Sequence, residues 1–220
     1  MSDKESEGED KRGISFVIAI HERYIETCII PQEVLVLPQN AGKQRAIELV
    51  GFEKTFERLI EVNVSHMNIA FSGTDCQSLK QVLSQTKTLV LSHNLLTDWS
   101  QVAKIIENIQ SLTDLVLSYN KLKLPAKQEL DLISFKSLKT LIIDNMDYDW
   151  SDVLFCAKMW PNIERLDVWG NKIRELQSPE PPLFIDLQYL SLCDNNIEEW
   201  TQVCKLGSLP KYGSIFIALY

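Results

Sequence analysis

The sequence predicts an α/β solenoid, a curved parallel sheet with short helices and loops on its convex side. Three observations predict it: a strand-and-turn motif that recurs in one phase, a spacing that lets the chain cross back over the core between strands, and a second period of helix starts. The clearest copy of the motif is SLTDLVLSYNKLKL, Ser111 to Leu124, which reads Leu112-x-x-Leu115-x-Leu117-x-x-Asn120-x-Leu122. This is the leucine-rich-repeat unit, a short strand followed by a turn whose asparagine bonds the backbone. One copy proves little, because apolar alternation over six residues occurs in any half-buried strand. Recurrence decides the fold.

In chain order the copies are Leu59, Val62, Val64, Met67 and Ile69; then Thr86, Leu89, Leu91, Asn94 and Leu96; then the Leu112 copy. Next come Leu138, Leu141, Ile143, Met146 and Tyr148; Ile163, Leu166, Val168, Asn171 and Ile173; and Leu187, Leu190, Leu192, Asn195 and Ile197. Counting Leu112 as position 1, the residues at position 4 are Val62, Leu89, Leu115, Leu141, Leu166 and Leu190, separated by 27, 26, 26, 25 and 24 residues. Those intervals fall inside the range of about 20–29 residues for such units. No copy can bury its leucines alone, so stacking makes one continuous core. Asn94, Asn120, Asn171 and Asn195 are expected at the inner turn, satisfying backbone groups that water cannot reach. Met67 and Met146 take that position in two copies, so those turns are expected to be satisfied differently.

The second period lies in the crossings. Asp98-Trp99-Ser100-Gln101-Val102, Asp149-Trp150-Ser151-Asp152-Val153 and Glu199-Trp200-Thr201-Gln202-Val203 are nearly one pentapeptide, 51 and then 50 residues apart. Each places a Ser or Thr as the expected N-cap of a helix. The alternate crossings hold Pro125, or Pro179, Pro181 and Pro182, so helix-backed and loop-backed units are expected to alternate. The tryptophans are expected to pack between successive helices.

The flanks are read as follows. Residues 1–13 form an acidic, solvated tail and 14–58 a linker and cap, with a short amphipathic helix over Ile14 to Tyr24. Cys28 to Leu37 favours extended structure. Ile47 to Phe52 reads as a leading strand, with Phe52 and Phe56 covering the open end of the first unit. The repeats span 59–210, and residues 211–220, KYGSIFIALY, read as leaving the repeat frame or as an aborted seventh strand. The chain has 220 residues, 45% of them hydrophobic, enough for one elongated core. A net charge of −8 and a pI near 5.0 argue against nonspecific nucleic-acid binding and against an anionic membrane surface. No run approaches the length of a bilayer-spanning helix, and no signal-peptide core is present. The five cysteines are scattered and odd in number, a reduced, cytoplasmic pattern.

Enzyme signals are close to absent. His21, His66 and His93 lack zinc spacing, no phosphate loop occurs, and no nucleophile has a placed base. No cofactor is expected. His66 and His93 share one repeat position and are expected to stand side by side as solvent-facing turn residues. Asp144, Asp147 and Asp149 form an acidic cluster without the glycine turn of a calcium loop, and a solvated turn is the expected reading. What remains is a surface. Positions 3, 5 and 7 point outward onto the concave face while 4 and 6 point in. Val90, Val116 and Ile142 then form an apolar row across three strands, bordered by Asp114, Asp144, Arg165, Asp167, Trp169 and Tyr189. That composition suits a protein-binding patch.

Phe16-x-x-Ala19-Ile20-x-x-Arg23-Tyr24, the Ile47–Phe52 segment and the LSHNLLTDWSQV run from Leu91 to Val102 together resemble tubulin-folding cofactor E. The resemblance covers roughly Ile14 to Pro210. It implies a non-enzymatic module that binds α-tubulin while the αβ heterodimer is assembled or taken apart, with the other tubulin-folding cofactors as further partners. It also implies a place in the cytoplasm and cytoskeleton. That family carries a CAP-Gly domain before this region and a ubiquitin-like domain after it; neither is in this sequence, which therefore resembles a short isoform or a fragment. The alternative is a generic leucine-rich-repeat adaptor or phosphatase-regulatory scaffold.

Overall fold

A computed structural model describes residues 13–25, 59–74, 76–127, 135–180, 183–207, 209 and 214–216. The expected tail over residues 1–12, the Cys28–Leu37 extended segment, the Ile47–Phe52 strand and Phe56 lie outside the described residues.

The N-terminal cap begins with β1 (Ile14–Ser15) and α1 (Phe16–Ile20), continued by a wider π-helical turn, His21–Ile25. Ser15 ends the extended segment, and its hydroxyl accepts the Ile18 N–H, which starts the helix. Phe16, Ala19 and Ile20 are buried against the first unit, and the Tyr24 hydroxyl bridges the N–H and C=O of Asn63. The amphipathic helix expected over Ile14 to Tyr24 is thus shorter and preceded by a strand pair. β1 lies parallel to β3 (Ile69–Phe71) in a small separate sheet.

The main sheet runs β2 (Glu61–Asn63), β4 (Thr88–Val90), β5 (Asp114–Val116), β6 (Thr140–Ile142), β7 (Arg165–Asp167), β8 (Tyr189–Ser191) and β9 (Ser214–Phe216), in that order and all parallel. Val62, Leu89, Leu115, Leu141 and Leu166 sit in one register at 0% exposure, with Leu190 at 1%. The position-6 residues Val64, Leu91, Leu117, Ile143, Val168 and Leu192 are equally buried. At the C-terminal end Leu190 pairs with Ile215, 25 residues on, so of the two readings of this segment the seventh strand holds, at the repeat interval. Ile215 simply takes the place of a leucine, and Tyr212 and Ile217 stand three before and two after it, as the motif requires.

The convex side carries α2 (Trp99–Ile106), α3 (Trp150–Cys156) and α4 (Trp200–Cys204). The crossing before α2 is backed by a 3-10 turn, Cys76–Lys80, and the one between α3 and α4 by turns and irregular chain. Where the described residues cover the crossings, helix-backed and looser units alternate; residues 128–134 of the crossing that holds Pro125, and Pro181 and Pro182, lie outside them. One expectation is corrected here: the N-caps are Asp98, Asp149 and Glu199, and Ser100, Ser151 and Thr201 lie inside the first turn. Trp99 and Trp150 take the first helical position with their rings in the core, which puts the cap two residues upstream of the expected serine. At α3 the Asp149 carboxylate accepts the Asp152 N–H at 2.9 Å and the Ser151 hydroxyl at 2.6 Å, and Asp152 answers with its own carboxylate on the Asp149 N–H.

Two of the three tryptophans pack as expected. Trp99 meets Phe135 and Trp160 at 5.6 and 5.5 Å between ring centres, and its indole N–H donates to the Tyr148 hydroxyl. Trp150 lies 6.1 Å from Phe184 and donates to the Gln177 carbonyl. Trp200 does not: it is 64% exposed, and α4 buries no residue. The residues covering Trp99 and Trp150 come from the units that follow them, and no described residue follows Trp200 in that way.

Candidate functional site

The asparagine turn fixes one rim of the concave face. Asn94, Asn120, Asn171 and Asn195 are buried, and each Nδ2 donates to two position-6 carbonyls, its own unit's and the preceding one's. Each Oδ1 accepts backbone N–H groups of the preceding turn, such as Met67 and Ile69 for Asn94. The methionine turns are therefore not the ones short of bonds. Met67 and Met146 donate their own N–H to the next unit's asparagine, and the shortage falls one turn earlier, at Asn120. There the buried Tyr148 hydroxyl donates to the Leu122 carbonyl at 2.9 Å, linking the two units on the convex side; burial pushes this phenol's pKa up.

The residue before each asparagine position adopts a left-handed backbone: His66, His93, Tyr119, Asn145, Gly170 and Asp194. This regular geometry aligns successive side chains one above another. His66 and His93 stand side by side as expected, stacked with ring centres 4.2 Å apart, and Tyr119 extends the stack at 4.1 Å. Tyr119 shares their repeat position, a signal in the sequence that extends the expected pair to three rings. Gly170 is needed in the same row, because a Cβ there would meet the Asn145 amide at 2.7 Å.

The face itself is laid out by strand register. Val90, Val116 and Ile142 are direct partners on β4, β5 and β6, each half-buried, and Asp167 on β7 continues the row. Asp114 stands on β5 beside Thr140 of β6, which pairs in turn with Arg165. The Arg165 guanidinium lies over the Tyr189 ring at 4.0 Å and reaches toward Asp167 Oδ2 at 3.8 Å. Trp169 is 37% exposed beyond the end of β7, and its N–H donates to Asp144 Oδ1 at 3.0 Å. Asp144, Arg165, Asp167, Trp169 and Tyr189 are linked into one group by these contacts, beside the row of Val90, Val116 and Ile142.

The contact between Asp144 and Asp167 was not read from the sequence. They occupy positions 7 and 5 of adjacent strands, a diagonal relation that was available in the alignment of copies. Burial and the Asp167 charge push the Asp144 carboxyl up to about 7, against hydrogen bonds from the Trp169 N–H and the Ser118 hydroxyl. Asp144, Asp147 and Asp149 do not converge: Asp147 pairs with Lys172 at 3.1 Å and Asp149 caps α3. Among the described residues, no group of three His, Cys, Asp or Glu side chains is arranged to hold a metal ion. None of the helices described is long and apolar enough to cross a membrane.

No family model matches the chain. It is 31% identical over 218 residues to tubulin-folding cofactor E of Arabidopsis thaliana, across 94% of this chain and 40% of that protein. It is 32% identical over 203 residues to tubulin-specific chaperone E of Drosophila melanogaster, across 87% of this chain and 38% of that protein. This chain is a homologue of tubulin-folding cofactor E. It spans about 40% of the length of that Arabidopsis cofactor E. Among solved structures, human 5T4 (Wnt-activated inhibitory factor 1, trophoblast glycoprotein) superposes with a TM-score of 0.52 at 21% identity, over 75% of this chain and 63% of that one. That likeness supports the leucine-rich-repeat fold alone.

Proposed function

We propose that this chain is a non-enzymatic protein-binding module that holds α-tubulin through its concave face during assembly or disassembly of the αβ heterodimer. The observation that carries the reading is the open apolar row Val90, Val116 and Ile142, ending at Trp169, in a homologue of tubulin-specific chaperones. The contact set is Val90, Asp114, Val116, Ile142, Asp144, Arg165, Asp167, Trp169 and Tyr189. Binding is by shape and charge, and no bond is made or broken by this chain. The working unit is the repeat domain over residues 59–210, capped by residues from the 14–58 segment, and it acts in the cytoplasm and at the cytoskeleton. The further partners are the other tubulin-folding cofactors, with no nucleic acid or membrane involved.

Trp169→Ala tests this. A tryptophan buried at a partner's surface contributes about 2–4 kcal/mol, so tubulin binding should weaken about thirtyfold or more, with folding almost untouched. Equal binding of αβ-tubulin by wild type and Trp169→Ala refutes the concave-face assignment. Failure of both to bind refutes tubulin as the partner and leaves the generic adaptor reading.

A further inference from the structure

The outward positions of the strands and of the residues just past them are unevenly charged. Glu61, Asp114, Asp144 and Asp167 stand against a single base, Arg165, and that base is already engaged by Tyr189 and Asp167. The acids also differ in situation. Burial raises the Asp144 carboxyl, Asp167 lies close enough for its charge to raise it further, and Asp167 Oδ1 is buried with no donor from the described residues. Its other oxygen faces Arg165. A carboxyl pair of this kind is consistent only when one member carries a proton, since two adjacent carboxylates repel and neither can donate. A proton held on Asp144 would supply the donor that Asp167 Oδ1 lacks. The apolar row runs directly into this pair, because Ile142 is the strand partner of Asp167.

We propose that the concave face takes a partner segment bearing a lysine or arginine next to an apolar residue, the cation seating at Asp144 and Asp167 and displacing their shared proton to solvent. The apolar neighbour then lies along Ile142 and Val116, with Trp169 covering the pair. The proposal rests on the concave face being the docking surface and adds the chemistry of what docks there. Charge complementarity selects the occupant: an acidic segment would meet four carboxylates, and a wholly apolar one would leave the pair and its proton untouched. Tyr119, whose N–H donates to the Asp144 carbonyl, is one titratable neighbour of Asp144. The other charged or titratable groups named by the strand register and contacts are Asp114 on β5, Arg165 and Asp167 on β7, Tyr189 and Cys193 at β8, and the Asp147–Lys172 pair at the turn. After burial, it is the Asp167 charge among them that raises the Asp144 carboxyl.

Proton displacement makes binding pH-dependent with a definite sign. With Asp144 titrating at about 7 in the free protein, a bound cation that holds it ionised strengthens binding as pH rises. The dissociation constant for αβ-tubulin should therefore fall about tenfold between pH 6 and pH 8. Asp144→Asn, which keeps the hydrogen bonds and removes the titration, should bind with little slope and at pH 8 as weakly as wild type at pH 6. Carboxyl-carbon NMR of the free wild-type chain should show one of the two aspartates titrating near neutrality. A wild-type affinity equal at pH 6 and 8, a slope that survives Asp144→Asn, or tighter binding at pH 6 overturns the proposal while leaving the docking face in place. Absence of tubulin binding at every pH overturns the docking reading and this proposal with it.

Discussion

Replacing Asn120 with alanine tests the turn that holds the stack together. The side chain is 1% exposed; it accepts the Leu96 N–H at 3.2 Å and donates to the Leu91 and Leu117 carbonyls at 2.9 and 2.8 Å. The Leu91 carbonyl keeps a second donor, the Asn94 amide at 2.8 Å, so it is not orphaned. The Leu96 N–H and the Leu117 carbonyl lose the side-chain partners they have among the described residues. Two buried polar groups left unpaired, at roughly 1–3 kcal/mol each and relieved in part by local relaxation, give an expected loss of about 2–4 kcal/mol. For a chain of this size that lowers the melting temperature by about 5–15 °C. The same reasoning ranks the ladder. Asn171→Ala strands three groups, the Met146 and Tyr148 N–H and the Ile143 carbonyl, because the Val168 carbonyl retains Asn195. It should cost about 1–2 kcal/mol more than Asn120→Ala. Urea unfolding followed by circular dichroism measures all three variants, with exposed Asn196→Ala as the reference at under about 0.5 kcal/mol. A loss for Asn120→Ala no larger than that of Asn196→Ala refutes the reasoning.

Four further outcomes are expected. Trp99→Ala should destabilise by about 3–5 kcal/mol, whereas Trp200→Ala, at a 64% exposed site, should leave the urea midpoint almost unchanged. Asp144 binds a proton in the folded chain that the unfolded chain releases, so its contribution to stability is full below about pH 4 and lost as pH rises through about 7. The gain in melting temperature from Asp144→Asn should therefore be larger at pH 8 than at pH 4. Cys156, buried and with its thiol pushed up to about 12, should resist iodoacetamide under native conditions while exposed Cys204 reacts. Deleting residues 211–220 removes β9 and should reduce any self-association seen by sedimentation at about tens of micromolar; a monomeric full-length chain counts against the edge as a liability.

Most of the sheet was legible because one constraint repeats: a leucine at position 4 or 6 must point inward in every copy, so Leu89, Leu115 and Leu141 announce their own register. Outward positions followed from the same alternation, which is why Val90, Val116, Ile142 and Asp167 fall in one register. What escaped depended on contacts between units. The Asp144–Asp167 pair lies on a diagonal, and a row-by-row reading compares residues only at equal positions. The helix caps were displaced because Trp99 and Trp150 compete for the first helical position, a packing demand that cap propensities alone do not contain. Residues 211–220 were left between two readings, departure from the frame and a seventh strand, because isoleucine and a tyrosine three residues earlier disguise a frame otherwise written in leucine.

The interrupted asparagine ladder gives the molecule a weakest link. Asn94 sends three bonds into the unit before it, Asn171 three, Asn120 and Asn195 two each, and Met146 none. A stack of repeats behaves as a nearest-neighbour chain whose stability is a sum of unit and interface contributions. Among the described residues, the junction between β5 and β6 lacks an asparagine amide and is held by backbone hydrogen bonds, by the long Ser118–Asp144 side-chain bonds at 3.3 and 3.4 Å, and on its outer side by the Tyr148 hydroxyl. Under tension or thermal opening the solenoid parts there first, into a front half ending at Asn120 and a rear half beginning near Leu138. The apolar row crosses that junction, from Val116 to Ile142. A ligand lying along it therefore acts as a splint across the fault, and its binding should be felt as slower amide exchange on both sides of the seam.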